Sequence, residues 1–243
     1  MTHILTPGVP VSDKIIQQVS FELHQGDAID WLKSLGDSSI DLLITDPPYE
    51  SLEKHRKVGT TTRLKQSKSS SNTWFEIFPN SRFESLFNEV YRVLKKNSHF
   101  YLFCDQETAF IVKPIAEAAG FKFWKPIVWD KMRIGMGYHY RAKYEFILFF
   151  EKGKRKLNNL STPDILSVPR IHKGYPTEKP VELMEILISQ SSSDGDTVCD
   201  PFMGACATGV AATNLNRSFV GNDISSEALS ISYDRLSKNK AME

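Results

Sequence analysis

At 243 residues, with 41% hydrophobic and 24% charged residues, the chain is long enough for one large α/β domain with a substantial core, and a second domain would be tight. No run of about eighteen apolar residues occurs and the start Met1-Thr2-His3-Ile4 lacks a signal-peptide core, so no membrane partner and a cytoplasmic location are expected. The net charge is only +1, and Cys104, Cys199 and Cys206, odd in number and widely spaced, support neither a disulfide framework nor a CxxC metal site.

In chain order, the first strand is predicted over Ser20 to Gln25, followed by Gly26-Asp27-Ala28 and a short helix around Ile29 to Leu32. The apolar run Ile40-Asp41-Leu42-Leu43-Ile44 reads as a buried strand that leaves through Thr45-Asp46-Pro47-Pro48-Tyr49. Each proline fixes its own φ and biases the residue before it toward extended geometry. The segment therefore presents one carboxylate, carbonyls without competing N–H groups and one aromatic ring. A planar amine donating to Asp46 and the Pro47 carbonyl fits it, and so does a plain strand-ending turn.

Between Ser51 and Thr73, Lys54, Arg56, Lys57, Arg63, Lys65 and Lys68 face the single acid Glu53, so this segment carries +5 and the rest of the chain −4. A mobile basic loop over 51–73 is expected, and six cations beside a site invite a polyanion. Phe83, Leu86, Phe87, Val90 and Leu94 then fall at helical spacing as a core stripe. His99 to Cys104 reads as a strand, and Gln106 to Ala119 as a helix interrupted or kinked at Pro114 and closed by Gly120.

Phe123 to Trp129 and Tyr144 to Phe150 are two further strands. The stretch between them alternates cations with rings and glycines. Its Arg133, Tyr138, His139 and Arg141 suit unpaired bases and phosphates, although a flexible hairpin loop is the plain alternative. Segment 152–173 is polar and short, and Arg155, Asn158 and Asn159 are its candidate base readers. Pro180 opens a helix, and strands follow at Thr197 to Asp200 and Ser218 to Gly221, before a last helix around Ala228 to Leu236. Seven strands alternating mainly with helices predict one doubly wound, mostly parallel sheet of Rossmann-like type over 1–243. Its catalytic half covers about 20–150 and its cofactor half about 174–238.

Two strand-ending Asp-Pro corners, Asp46-Pro47-Pro48-Tyr49 and Asp200-Pro201-Phe202-Met203-Gly204, read as two halves of one site. Gly204 and Gly209 would let backbone approach a ligand beyond the strand ends. Asp223, just past its strand, could accept from two ribose hydroxyls or cap the last helix.

With Thr177-Glu178-Lys179-Pro180 between them, these corners resemble the DNA amino-methyltransferases that use S-adenosylmethionine, in the motif order of that family's β group. The resemblance spans about 20–238. It implies methyl transfer to the exocyclic amine of a base flipped out of duplex DNA, or held in a single strand, with Asp46, Pro47, Pro48 and Tyr49 catalytic and Tyr49 stacked on the base. It implies cofactor contacts from Asp27, Ala28, Asp46, Thr177, Lys179, Asp200, Phe202, Gly204, Thr208 and Asp223, with Phe202 on the adenine side and Lys179 and Thr177 near the amino-acid end. DNA contacts would come from Lys54, Arg56, Lys57, Arg63, Arg133, Tyr138, His139, Arg141, Arg155 and Asn158, with a second copy of the chain as a further candidate partner. Asp at position 46 favours adenine N6 over cytosine N4. The family's usual Ser-Gly-Thr-Thr is replaced here by Ala205-Cys206-Ala207-Thr208, which restricts φ and removes hydroxyls. An RNA amine methyltransferase and a weakened nucleic-acid-binding module stay open, whereas an oxidoreductase is disfavoured because no G-x-G-x-x-G follows the first strand.

Overall fold

Apolar side chains in the central strands alternate between two cores, and that alternation builds the molecule. The computed structural model describes residues 19–51, 76–135, 139–171, 175 and 177–240. Along β2 (Ile40–Thr45), Leu42 and Ile44 face one core and Ile40 and Leu43 the other; along β3 (Leu94–Cys104), Tyr101 and Phe103 join the first set and Phe100, Leu102 and Cys104 the second. Strands apolar on both faces need helices on both faces. Accordingly α1 (Ala28–Ser34), α2 (Phe83–Val93) and α3 (Gln106–Ala118) cover one side, and α4 (Val181–Ser191), α5 (Ala207–Asn214) and α6 (Ser226–Lys240) cover the other. The stripe expected on α2 is fully buried at Phe83, Leu86, Phe87 and Val90, but Leu94, expected as its last member, is buried as the first residue of β3, and Val93 ends the helix instead. Helix α3 runs through Pro114 and is closed by Gly120 at φ +106°.

The other strands are β1 (Phe21–Gln25), β4 (Lys122–Asp130), β5 (Tyr144–Lys152), β6 (Ile165–Ser167), β7 (Thr197–Asp200) and β8 (Ser218–Asp223). The sheet order is β1-β8-β7-β2-β3-β5-β4-β6, so the described residues form eight strands where seven were expected. The additional strand, β6, has only three residues and pairs with β4 at the edge, too short for any periodic signal. Strand β5 runs antiparallel to both β3 and β4, and every other pairing is parallel.

This one reversal decides which ends of the later segments reach the site. Cys104 pairs with Phe146 and Ser98 with Lys152, so β5 starts at the carboxyl ends of β2 and β3 and delivers the chain to the opposite end of the sheet. There the Asn158 amide donates to the Ser189 and Ser192 carbonyls at the end of α4, at 2.8 and 2.7 Å, and the Arg155 carbonyl lies 3.1 Å from His99 Nε2. Asn159 accepts from Ser161 N and donates its own N–H to Gln190 Oε1. Of the expected base readers, Asn158 and Asn159 bond the end of α4 and Arg155 meets β3 at His99, all at the end of the sheet opposite to the one where β2 and β3 finish. Strand β6 then carries the chain back, with Ser167 beside Asp130.

Candidate active site

In an open α/β sheet, ligands bind where successive strands diverge to opposite sides. Here β7 and β2 are neighbours; the chain leaves β7 for helices on one face and β2 for helices on the other. The two Asp-Pro corners therefore flank the switch point. Thr45 Oγ1 donates to Asp200 Oδ1 at 2.9 Å and ties them together.

Asp200 is a frame rather than an open acceptor. Its oxygens also take the Phe202 N–H at 3.1 Å and the Thr208 hydroxyl at 2.8 Å, so Asp200 and Thr208, expected among the cofactor contacts, spend polar atoms on holding the turn. Burial pushes Asp200 up to about 7, against the opposing hydrogen bonds from Thr208, Phe202 and Thr45. An acid whose folded-state pKa lies above its unfolded value stabilises the fold most at low pH, and that contribution fades as pH rises from about 4 to 7. Asp200→Asn keeps an acceptor for Thr45 and a polar partner for Thr208. Its stability relative to the parent should rise between pH 5 and pH 8, measured from urea midpoints; a pH-independent difference would contradict the buried, protonatable carboxyl.

Gly204 turns the chain at φ +50°, and its N–H donates to Asp223 Oδ2 at 2.9 Å. Asp223 Oδ1 accepts from Ser225 N at 2.9 Å, whereas Ser225 is the residue whose hydroxyl accepts from Ala228 N in the last helix. Burial raises Asp223, offset by these N–H donors. Each carboxylate oxygen has a second lone pair, so acceptor capacity remains for ribose hydroxyls. Tyr175, which was not singled out in the sequence, lies over Gly204, its ring 3.7 Å from where a Cβ would stand, and its phenol is pushed up to about 12 by burial and by Asp223.

The substituted turn resolves in an unexpected way. Cys206 stands in the left-handed region at φ 63°, ψ 36°, a conformation that favours glycine but is held here by a cysteine. Gly209 makes the room: a Cβ there would lie 2.3 Å from the Cys206 sulfur and 2.7 Å from the Phe219 ring.

At the end of β1, Asp27 caps α1 through the Ile29 and Asp30 N–H groups, with Ala28 buried behind it, and Arg82 grips both carboxylate oxygens at 2.8 Å. Burial works to raise Asp27, but these donors outweigh it and hold the carboxyl below its usual range. The Arg82 guanidinium also sits 5.2 Å over the Phe78 ring, which meets Phe202 edge to face at 5.1 Å. Asn222, also missed, ties the ends of three strands by donating to the Gly26 and Pro201 carbonyls and pairing with His24.

The Asp46-Pro47-Pro48-Tyr49 corner brings together Lys131, Glu145, Lys179 and Asp46. Lys179 Nζ pairs with Asp46 Oδ2 and lies 3.1 Å from Glu145 Oε1, while Lys131 reaches Glu145 Oε2 at 2.7 Å. Lys179 also lies 5.2 Å over Phe103 and 6.0 Å over Trp129. Lys179 was expected near the cofactor's amino-acid end; its ammonium is engaged by two carboxylates. Thr177, two residues before it, holds φ 60°, an outlier for a β-branched residue of the kind stored at functional sites. Burial works to raise Asp46, Lys179 opposes the rise, and Glu145 adds to it. Lys179 itself is held charged, because the two carboxylates outweigh its burial. Asp46 Oδ1 and the Pro47 carbonyl have no hydrogen-bond partner among the described residues. The Pro48 carbonyl accepts from Phe78 N at 2.7 Å, and Tyr49, 8% exposed, bridges to Phe78.

Glu145 was legible in one respect. By strand alternation it shares a face with Ile147 and Phe149, and an acid on a buried face needs partners. Arg133, His139 and Arg141 lie in the loop after β4; Arg141 Nε donates to the Gly135 carbonyl at 2.6 Å. Lys54, Arg56, Lys57, Arg63 and Tyr138 lie outside the described residues.

The family model described as DNA methylase (N6_N4_Mtase) matches residues 40–234. The Type II methyltransferase M.HpaI of Haemophilus parainfluenzae is 30% identical over 86% of this chain and 72% of its own length. The DNA adenine methyltransferase YhdJ of Escherichia coli (strain K12) is 28% identical over 87% and 81%. Among solved structures, the M1.HpyAVI-SAM complex superposes with a TM-score of 0.66 at 25% identity, covering 89% of this chain and 99% of that one.

Proposed function

Because the chain belongs to the N6_N4_Mtase family of DNA methylases, we propose that it moves the methyl group of S-adenosylmethionine to adenine N6 in DNA, with Asp46 as the group that prepares the amine. It is a DNA methyltransferase of the N6/N4 class and S-adenosylmethionine is its cofactor. The observation that carries the residue assignment is the pair of acceptors without a hydrogen-bond partner among the described residues, Asp46 Oδ1 and the Pro47 carbonyl, at the switch point between β2 and β7.

An exocyclic amine is a poor nucleophile because its lone pair is delocalised into the ring. Two hydrogen bonds from its protons to Asp46 and Pro47 favour a pyramidal nitrogen with the lone pair aimed at the sulfonium methyl. Such stabilisation, aimed at charge that develops in the transition state, is catalysis by positioning and electrostatics. The base must leave the stack to arrive, and its entry uncovers the Tyr49 ring as a stacking face. The cofactor lies toward β7, β8 and β1, with Phe202 beside the adenine, Gly204 admitting the backbone and Asp223 accepting from the ribose. The fit is supported by the left-handed Gly204 and by the acceptor capacity left on Asp223. Adenine is favoured by Asp at position 46 and by the activity named for YhdJ. Nucleoside mass spectrometry of DNA incubated with protein and cofactor tests this: N6-methyladenine is expected. N4-methylcytosine would overturn the choice of base, and unmodified DNA the function.

Sequence reading is expected from the carboxyl ends of the strands. Exchanging residues 131–143 together with 168–178 for those of a relative of different specificity should move the methylated site, whereas exchanging 152–160 should leave it unchanged. Each bidentate base contact discriminates by about 1–3 kcal/mol. A shift caused by 152–160 alone would refute this division. The +5 segment 51–73 is proposed to track phosphates.

A further inference from the structure

Strand β5 places an acid where the sheet is otherwise apolar. Glu145 follows Tyr144 at the start of β5, opposite Trp129 of β4, and its side chain is 9% exposed. It accepts from Lys131 at 2.7 Å and from Lys179 at 3.1 Å, and Lys179 in turn pairs with Asp46. The four charges alternate Lys131, Glu145, Lys179, Asp46 and sum to zero in an enclosure walled by Phe103 and Trp129.

A buried ion pair alone would be a weak ground for function, because such pairs often contribute little to stability. The arrangement here is not a closed pair. One ammonium is divided between two carboxylates, and only one of them faces the crevice. Whatever strengthens the Lys179–Glu145 contact weakens the Lys179–Asp46 contact. We propose, building on the methyl-transfer reading above, that Glu145 is a positioning residue: by sharing Lys179 it sets how much negative charge Asp46 keeps for the target amine.

The other groups in electrostatic reach of Asp46 are Tyr49 on its own segment, Cys104 at the end of β3 and Asp200 at the end of β7, and Asp105 acts on the first two. The Tyr49 phenol and the Cys104 thiol are pushed up by burial and stay neutral through the physiological range. Asp200 titrates near 7, so it is held in common between parent and variants, and only differences between them are interpreted.

Two substitutions then act in opposite directions. Glu145→Gln removes a negative neighbour and leaves Lys179 to Asp46, so the Asp46 midpoint falls. Lys131→Met removes a cation and frees Glu145 to draw Lys179 away, so the midpoint rises. The experiment is the single-turnover rate of methyl transfer from labelled S-adenosylmethionine to saturating duplex DNA carrying the methylated site, across pH 5 to 9. The acid limb should move down in Glu145→Gln and up in Lys131→Met, each by about 0.5–1 unit, less than a direct contact gives because Glu145 acts through Lys179. Cofactor affinity by calorimetry should change less than about threefold, since neither side chain is placed on the cofactor.

The same order of midpoints should appear in the Asp46 13Cγ shift of the protein without DNA, a readout independent of turnover. Glu145→Asp should restore part of the parental limb. Limbs and midpoints that stay in place in both variants, or move the same way, would overturn the role of Glu145 while leaving DNA methylation intact. A parent protein that does not methylate DNA would overturn the function instead. If Glu145→Gln does not fold, the upward shift in Lys131→Met still decides the question.

Discussion

Asp46→Ala should lose methyl transfer by roughly a thousandfold while still binding cofactor and DNA. The carboxylate is partly open, with 26% of its side chain exposed, and its Oδ1 takes no hydrogen bond among the described residues. Among the described residues its side chain makes no hydrogen bond beyond the contact with Lys179. After truncation Lys179 keeps Glu145 as a partner, so no buried cation is left without an anion. What disappears is an acceptor whose interaction with the amine grows as positive charge develops on nitrogen, and that loss falls on the chemical step. Single-turnover rates, calorimetry with S-adenosylmethionine and gel-shift titrations would separate the terms. Near-normal turnover would remove Asp46 from the mechanism.

Lys179→Met should destabilise the protein by about 3–5 kcal/mol, the usual cost of breaking a buried charge pair by removing one partner. Two carboxylates, Asp46 and Glu145, then face each other without their shared cation. Their folded-state pKa values rise above those of the unfolded chain, so the variant binds more protons folded than unfolded over the intervening range. Its stability must fall as pH rises through that range. In the parent, Lys179 is held charged well above neutrality and contributes no slope between pH 5 and 8. The gap between parent and variant is therefore smallest near pH 5 and widest near pH 8. Adding Glu145→Gln to Lys179→Met should recover part of the loss. Urea denaturation at the two pH values measures both effects, and a gap independent of pH would show that lost packing against Phe103 and Trp129 dominates.

The amino-acid sequence alone determined what depends on local chemistry. Asp46-Pro47-Pro48-Tyr49 and Asp200 to Gly204 were recognisable because prolines and glycines constrain backbone wherever they occur, and the central strands β2, β3 and β5 were visible because both-face burial demands apolar runs. Only the tertiary structure decided which distant groups meet. The three-residue β6 carries no period of its own and exists through its pairing with β4. The reversal of β5 placed Glu145 at the catalytic end and sent Arg155 and Asn158 to the other, and strand direction within a sheet leaves no mark on strand composition. Cys206 stands in the left-handed region that favours glycine, and Gly209 clears space for its sulfur, an arrangement between neighbours that turn rules do not contain. Lys179 meets Asp46 across 133 residues of chain, and no spacing rule reaches that far. Coulomb attraction in a largely buried enclosure favours those partners, and the enclosure exists only once the sheet has assembled.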